Sequence, residues 1–229
     1  KGLTHSSIHK NTLTIEILLQ PEKKSDYHIY HILTFYDSSK TENLIIAQWK
    51  SNLIIRSANT NSANRNKYKE IGIANALPKD KLRFITISSG QEGTFIYIDG
   101  TLEKAFPNYT LTGKNMELPV QLILGNSSVG DNSWHGSIMG LAMYAQQLSP
   151  NDVLKNYQSW REKQYSQLSG TEGLFSLYVF NEINTRLIKD LSNYQNDLII
   201  PETFNVLQKK VLEPPRNELK IFQKMVSVS

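Results

Sequence analysis

The stretch that decides the fold reads FIYIDGTLEKAF at residues 95–106, LILGNSSVGDNSWHGSIMGLAMY at 122–144 and QLSPNDVLKNYQSW at 147–160. An alternating strand enters Asp99-Gly100, a pair that favours the positive φ angles of a two-residue hairpin turn. A second strand runs into a loop of Gly, Asn and Ser that carries Trp134. A third strand precedes Ser149-Pro150, a typical N-cap and first helical residue. Asp152 completes a capping-box pattern, so one short helix is predicted to follow the strands.

The remainder of the chain continues this pattern of short strands. Further strands are predicted at residues 12–19, 27–36, 44–49, 53–55, 82–87 and 174–180, with a short apolar run at 198–200. Residues 57–66 lack large apolar side chains and are interpreted as a loop. Short strands separated by turn residues predict an antiparallel β sandwich. Pro214-Pro215 excludes regular structure around it, so residues 201–229 are interpreted as a tail or linker.

The composition is that of a globular domain, with 39% hydrophobic and 20% charged residues. Basic residues exceed acidic ones by 25 − 21 = 4, and the two signs are interleaved. The densest basic patch, residues 65–69, lies in the Asn/Ser-rich loop and lacks an aromatic-basic stripe, so no nucleic-acid partner is predicted. The absence of cysteine excludes disulfides and thiolate metal sites.

Catalytic chemistry is not supported by the pattern of titratable residues. Glycoside hydrolysis needs two carboxylates that face the sugar. However, Glu16 is the only carboxylate in its strand, Asp99 is explained by its turn, and Glu182 has no partner two residues on. His28 and His31 are three apart in a strand, which places them on opposite faces. No nucleophile elbow or phosphate-binding loop occurs.

The order of these motifs resembles the LamG-like, concanavalin A-like jelly roll. The similarity rests on TLTIEILLQP (12–21), FIYIDG (95–100), LGN (124–126), WHGSI (134–138), AMY (142–144) and LSP (148–150). It implies an all-β antiparallel sandwich with one short helix. It also implies a binding module, although the fold by itself does not determine function.

Residues 174–200 resemble the segment that usually opens this family, yet here they come last. Two accounts fit: the domain is circularly permuted, or these residues begin a second repeat. Because 229 residues leave no room for a second repeat, we favour permutation. We therefore predict a single jelly-roll domain over residues 1–200, with a core at 12–165 and returning strands from 174–200.

The layout is also similar to the LamG-like region that accompanies the membrane helices of VanZ-like bacterial proteins. That resemblance implies a periplasmic or extracellular domain of a membrane-anchored protein. In this interpretation residues 201–229 lead towards a membrane segment that this chain does not contain.

Two kinds of binding site are predicted. Asp190, Asn196 and Asp197 form an oxygen-rich loop where the resemblance would place Ca²⁺ ligands, the alternative being an ordinary Asp/Asn-rich turn. Trp134 is the candidate platform for stacking on a sugar, with Asn126, Asp131 and Asn132 as polar ligand-binding residues; Trp49 and Trp160 are assigned to the core.

The sequence thus predicts a non-catalytic module that recognises a glycan or cell-envelope polymer. No cofactor is required by the sequence, and Ca²⁺ is the one suggested by it. A protein-interaction or structural domain of a membrane-anchored protein is the alternative, and a glycan-active hydrolase is a third.

Overall fold

The computed structural model describes residues 12–22, 27–58, 67–111, 121–180 and 186–200. The strands are β1 (Leu13–Pro21), β2 (Tyr30–Tyr36), β3 (Glu42–Trp49), β4 (Asn52–Ala58), β5 (Tyr68–Ile73), β6 (Arg83–Gly90), β7 (Gly93–Ile98), β8 (Thr101–Phe106), β9 (Gln121–Leu124), β10 (Gly136–Tyr144), β11 (Leu174–Val179), β12 (Leu187–Ile188) and β13 (Leu198–Ile199). The helices are α1 (Pro150–Arg161) and α2 (Tyr165–Ser169).

The strands form two large antiparallel sheets. One has six strands in the order β11-β10-β1-β6-β7-β8, and the other has five in the order β5-β4-β3-β2-β9. Strands β12 and β13 pair with each other. The predicted all-β antiparallel sandwich is therefore confirmed.

The core lies between the two sheets. Successive side chains of a strand point to opposite faces, so every second residue faces the other sheet. In β1, alternate residues Leu13, Ile15, Ile17 and Leu19 are fully buried in it. The intervening residue Leu18 instead packs into a second apolar cluster, on the outer side of the six-stranded sheet. Strand β1 is thus buried on both sides, in keeping with its central position between β10 and β6.

Helix α1 covers the outer side of the six-stranded sheet. Its start follows from local chemistry: Ser149 Oγ accepts from the Asp152 amide at 3.2 Å, and the Asp152 carboxylate accepts from the Ser149 amide. Val153 and Trp160 are buried against the sheet. A Cβ at Gly140 of β10 would overlap the ring of Trp160, so only glycine leaves room for the indole there.

Strand β11 is the edge strand of the six-stranded sheet and pairs with β10. The residues predicted to return to the sandwich therefore begin with a strand of the same sheet. The Asp99-Gly100 turn has φ angles of 52° and 79°, as its residues predict.

The loop prediction around the basic patch is wrong after Lys67, because Tyr68–Ile73 forms β5. Its polar residues Lys69 and Glu70 concealed the strand, whose apolar positions Ile71 and Ile73 face the core. Glu182, most of the 57–66 loop and the 201–229 tail lie outside the described residues. Within the described part of the chain, neither helix has the length and apolar composition needed to cross a membrane.

Candidate functional site

Trp134 lies in the core. Only 9% of its surface is exposed, and its indole nitrogen donates to Gln48 Oε1 at 2.6 Å. A Cβ at Gly136 would overlap the ring, so β10 also leaves space for this second tryptophan. Stacking on a sugar needs an exposed ring face, and the buried ring lacks one. The prediction of Trp134 as an exposed platform is therefore wrong, because its ring is buried in the core and its indole nitrogen is hydrogen-bonded to Gln48.

The polar residues before Trp134 hold their own loop together. Asn126 Oδ1 accepts from the amides of Ser127 and Asn132, at 2.8 and 3.2 Å. Asp131 Oδ1 accepts from Ser127 Oγ at 2.5 Å and from Asn132 Nδ2 at 2.8 Å. These side chains therefore shape the loop. Their predicted ligand contacts stay a prediction, with exposed Asp131 best placed for one.

The three predicted metal ligands also have structural partners. Both oxygens of the buried Asp190 carboxylate are used, with Oδ1 accepting from the amides of Leu177 and Ser192 and Oδ2 from Ser192 Oγ and the Asn196 amide. These four hydrogen bonds, of 2.8–2.9 Å, match the number of lone-pair positions on a carboxylate.

The other two residues complete this arrangement. Asp197 accepts from the Asp190 amide and from Lys189 Nζ, and the Asn196 carbonyl accepts from the Tyr178 hydroxyl. Among the described residues, no group of three or more His, Cys, Asp and Glu side chains is arranged to hold a metal ion. Calcium would have to displace donors of the loop to reach Asp190.

The outer side of the five-stranded sheet has a different character, and we call it the five-stranded face. Its floor consists of Ile45 and Ala47 from β3 and Ile54 from β4. Half-buried Ile29, Trp49 and Tyr68 pack around this floor. No described helix lies over it, whereas α1 covers the outer side of the other sheet.

An ion pair crosses the five-stranded face between neighbouring strands. Arg56 of β4 and Glu70 of β5 are register partners, and Arg56 Nε donates to Glu70 Oε2 at 2.6 Å. The Arg56 guanidinium also lies 6.0 Å from the ring centre of Tyr68. Among the described residues, Glu70 is the only hydrogen-bond partner of this guanidinium, so its terminal nitrogens keep their donor capacity.

His31 is the buried titratable group of this face. Thr34 uses its single hydroxyl hydrogen to bond the Asn126 carbonyl at 3.0 Å, so its oxygen must accept from His31 Nδ1, 3.1 Å away. This fixes the proton on Nδ1 and leaves Nε2 as an acceptor. Burial lowers the pKa of His31, with Arg56 acting in the same direction and Glu42 and Asp131 opposing it.

Glu42 connects this face to the loop before Trp134. Its Oε1 lies 3.8 Å from His31 Nδ1 and accepts from the amide of Ser128 at 3.0 Å. The loop chosen from sequence therefore borders the five-stranded face, although Trp134 itself points away from solvent.

Aromatic rings mark one end of the face. Tyr27 is 88% exposed, and the ammonium group of Lys50 lies 5.8 Å from its ring centre and 4.7 Å from that of Trp49. Trp49 is thus half-buried at the edge of the apolar floor, not fully in the core as predicted.

Sequence reasoning missed Arg56 and Glu70. The signal was a lone arginine at an outward position of an apolar strand, LIIRSA. Its meaning depended on finding β5, since the pair forms only through the β4–β5 register. An arginine–carboxylate pair can donate to and accept from neighbouring sugar hydroxyls, and aromatic rings can cover the apolar face of a sugar.

The sandwich is similar to several solved structures. A proposed carbohydrate-binding protein from Bacteroides ovatus has a TM-score of 0.55 and 15% identity, covering 83% of this chain and 51% of that one. The receptor-binding domain of botulinum neurotoxin type G has a TM-score of 0.52 and 16% identity. The match covers 66% of this chain and 39% of that one. This chain thus spans about half or less of the length of these two.

A third similar structure is the CBM40 of the Ruminococcus gnavus IT-sialidase, bound to α2,3-sialyllactose. Its TM-score is 0.52 with 12% identity, covering 64% of this chain and 82% of that one. Identities this low establish the fold alone. No curated protein shows significant similarity to the sequence.

The family model described as the concanavalin A-like lectin/glucanases superfamily matches residues 2–154, which is 153 of the 229 residues. The chain therefore belongs to this superfamily.

Proposed function

We propose that this member of the superfamily is a non-catalytic glycan-binding module whose ligand lies on the five-stranded face. The observation that carries the proposal is the partly exposed Arg56–Glu70 pair, set beside Tyr68 next to a buried apolar floor, on an outer face over which no described helix lies. Carbohydrate sites combine such planar polar groups with rings that cover apolar sugar faces.

The similar structures support the ligand class by analogy, since one is named as bound to sialyllactose and another as a carbohydrate-binding protein. We further propose a periplasmic or extracellular setting in a membrane-anchored bacterial protein, where the ligand would be a glycan or cell-envelope polymer. This part rests on the sequence resemblance to VanZ-associated domains.

A glycan array tests the proposal with matched variants. Arg56→Ala removes the guanidinium group that would donate hydrogen bonds to the ligand. Arg161→Ala is the control, because it removes an exposed arginine from the end of α1. We expect binding by the wild type and by Arg161→Ala, with at least a ten-fold weaker affinity for Arg56→Ala. Equal binding by all three would place the ligand elsewhere, and glycan cleavage would contradict the non-catalytic role.

A protein-interaction role is the second candidate. It is favoured by four exposed apolar side chains in the segment of β12 and β13: Leu187, Leu191, Tyr194 and Ile199 are 42–75% exposed. Exposed apolar patches of this kind mark interaction sites. A folded protein that binds no glycan would favour this alternative.

Calcium dependence is a separate proposal taken from the sequence. If Ca²⁺ binds at Asp190, Asn196 and Asp197, it must raise the melting temperature, because a ligand of the native state stabilises that state. Melting curves in Ca²⁺ and in EDTA measure this directly, and coincident curves would reject the metal site.

A further inference from the structure

A buried carboxylate that is held by three neutral donors lies between β1 and α1. Glu16 is fully buried on the outer side of β1. The Tyr144 hydroxyl donates to Oε2 at 2.9 Å, Asn156 Nδ2 to Oε1 at 2.9 Å, and Trp160 Nε1 to Oε2 at 3.2 Å. Two of these donors belong to α1 and one to β10.

Among the described residues, no basic group balances this carboxylate. Its neighbours on the outer side of the sheet are Thr86 of β6 and Ala142 of β10, which are its register partners. Tyr144 is the one titratable group that faces it, and no Lys, Arg or His of the described chain forms an ion pair with Glu16. A buried charge in this position costs several kcal/mol.

The neutral carboxyl is therefore favoured over a wide pH range. Burial raises the pKa of Glu16 to about 7, outweighing the hydrogen bonds from Asn156, Tyr144 and Trp160. The hydroxyl oxygen of Thr86, the register partner of Glu16 on β6, has no hydrogen-bond partner among the described residues. It is therefore available as an acceptor for the proton of the neutral carboxyl group.

Helix α1 contacts Glu16 through the side that it packs on the sheet. The side it turns towards the sheet includes Val153, Asn156 and Trp160, so two of these three residues are donors to Glu16. The helix also packs on Phe84 through the rings of Tyr157 and Trp160, and Tyr157 contacts the turn at Gly100. A change of charge at Glu16 therefore acts directly on the docking of α1.

We propose that Glu16, Tyr144, Asn156 and Trp160 form a pH-sensitive latch that holds α1 on the six-stranded sheet when Glu16 is protonated and loosens when Glu16 ionises. Loosening α1 uncovers the apolar outer side of this sheet, including Phe84 and Tyr97. The latch is independent of the proposed glycan site, which lies on the opposite side of the sandwich.

The direction follows from linkage. The pKa of Glu16 is about 7 when docked, against 4.5 for an ordinary glutamate. The latch is at full strength below pH 4.5 and weakens as the pH rises to about 7. Between pH 5 and 8 the opening equilibrium of α1 should increase on the order of 50-fold.

Amide hydrogen exchange across this pH range tests the latch. Rates are corrected for the intrinsic pH dependence of exchange, and the opening of residues 150–161 is compared with that of β3. We expect the opening of α1 to rise with pH while β3 changes much less. An equal rise in both elements would overturn the latch, because it would indicate unfolding of the whole domain.

Three variants separate the latch from a merely structural contact. Glu16→Gln should remove the pH dependence, and Glu162→Gln, the same change at an exposed site at the end of α1, should retain it. Tyr144→Phe, which is informative even if Glu16→Gln fails to fold, removes one donor and should move the midpoint to higher pH. A wild-type profile in Glu16→Gln, or an unmoved midpoint in Tyr144→Phe, would overturn the proposal.

Discussion

The charged groups on the two outer faces of the sandwich differ in burial and in how they are paired. On the helix-covered face, Glu16 is enclosed by α1, has no counterion among the residues that the structure describes and is held by three neutral donors. On the five-stranded face, Arg56 and Glu70 neutralise each other and stay partly exposed. A helix over one sheet thus encloses a carboxylate, whereas the ion pair on the other sheet, over which no described helix lies, stays partly exposed.

The two faces also respond to pH in opposite directions. Because the pKa of Glu16 is raised, the docking of α1 on the six-stranded sheet should weaken as the pH rises towards 7. The lowered pKa of His31 means that its contribution to stability is lost as the pH falls from 6.5 towards that lowered pKa, because the unfolded chain then binds a proton that the buried imidazole does not. The variants below would break or sharpen this contrast.

The largest difference between the faces should come from their tryptophans. Trp160→Ala removes a 2%-exposed ring and one donor to Glu16, so we expect a loss of about 3–5 kcal/mol in the free energy of unfolding. Trp49→Ala removes a half-exposed ring and should cost about 1–2 kcal/mol. Urea unfolding measures both, and equal losses would contradict the finding that Trp160 is buried more completely than Trp49.

A smaller effect is expected from His31→Gln, because glutamine keeps a donor for Thr34 but cannot titrate. The stability advantage of the wild type over this variant should shrink as the pH falls from 7 towards 5, in line with the lowered pKa of His31. Unfolding free energies at several pH values measure the difference. Parallel curves for the two proteins would show that His31 is not a titrating group of this face.

The smallest effect on stability is expected from Arg56→Ala. Its ion pair with Glu70 is partly exposed, with side chains 27% and 46% accessible, so the unfolding free energy should fall by less than about 1 kcal/mol. Glycan affinity should nevertheless fall markedly. A large loss of stability with unchanged affinity would make the pair a structural feature of β4 and β5.

Much of the fold could be predicted from the sequence because its signals are local. The alternation in TLTIEILL predicted β1, Asp99-Gly100 predicted a hairpin turn, and Ser149-Pro150 with Asp152 predicted the start of α1. Strand β5 was missed because its first residues, YKE, are half polar and carry no apolar alternation.

The candidate site could be predicted only in part. The loop around Asp131 was chosen for its polar residues, and the structure places it at the border of the five-stranded face; its ligand contacts stay a prediction. The role given to Trp134 failed because a flexible-looking loop sequence says nothing about Gln48, which lies 86 residues earlier and binds the indole.

What the sequence determined by itself was the class of fold, since side-chain period, turn residues and helix caps act over a few neighbouring positions. The tertiary structure decided which polar groups are buried and which stay partly exposed. Glu16 meets Asn156 across 140 residues, and Arg56 meets Glu70 only through strand register. Burial and charge pairing depend on such distant neighbours, so a residue's chemistry cannot be assigned from its local sequence.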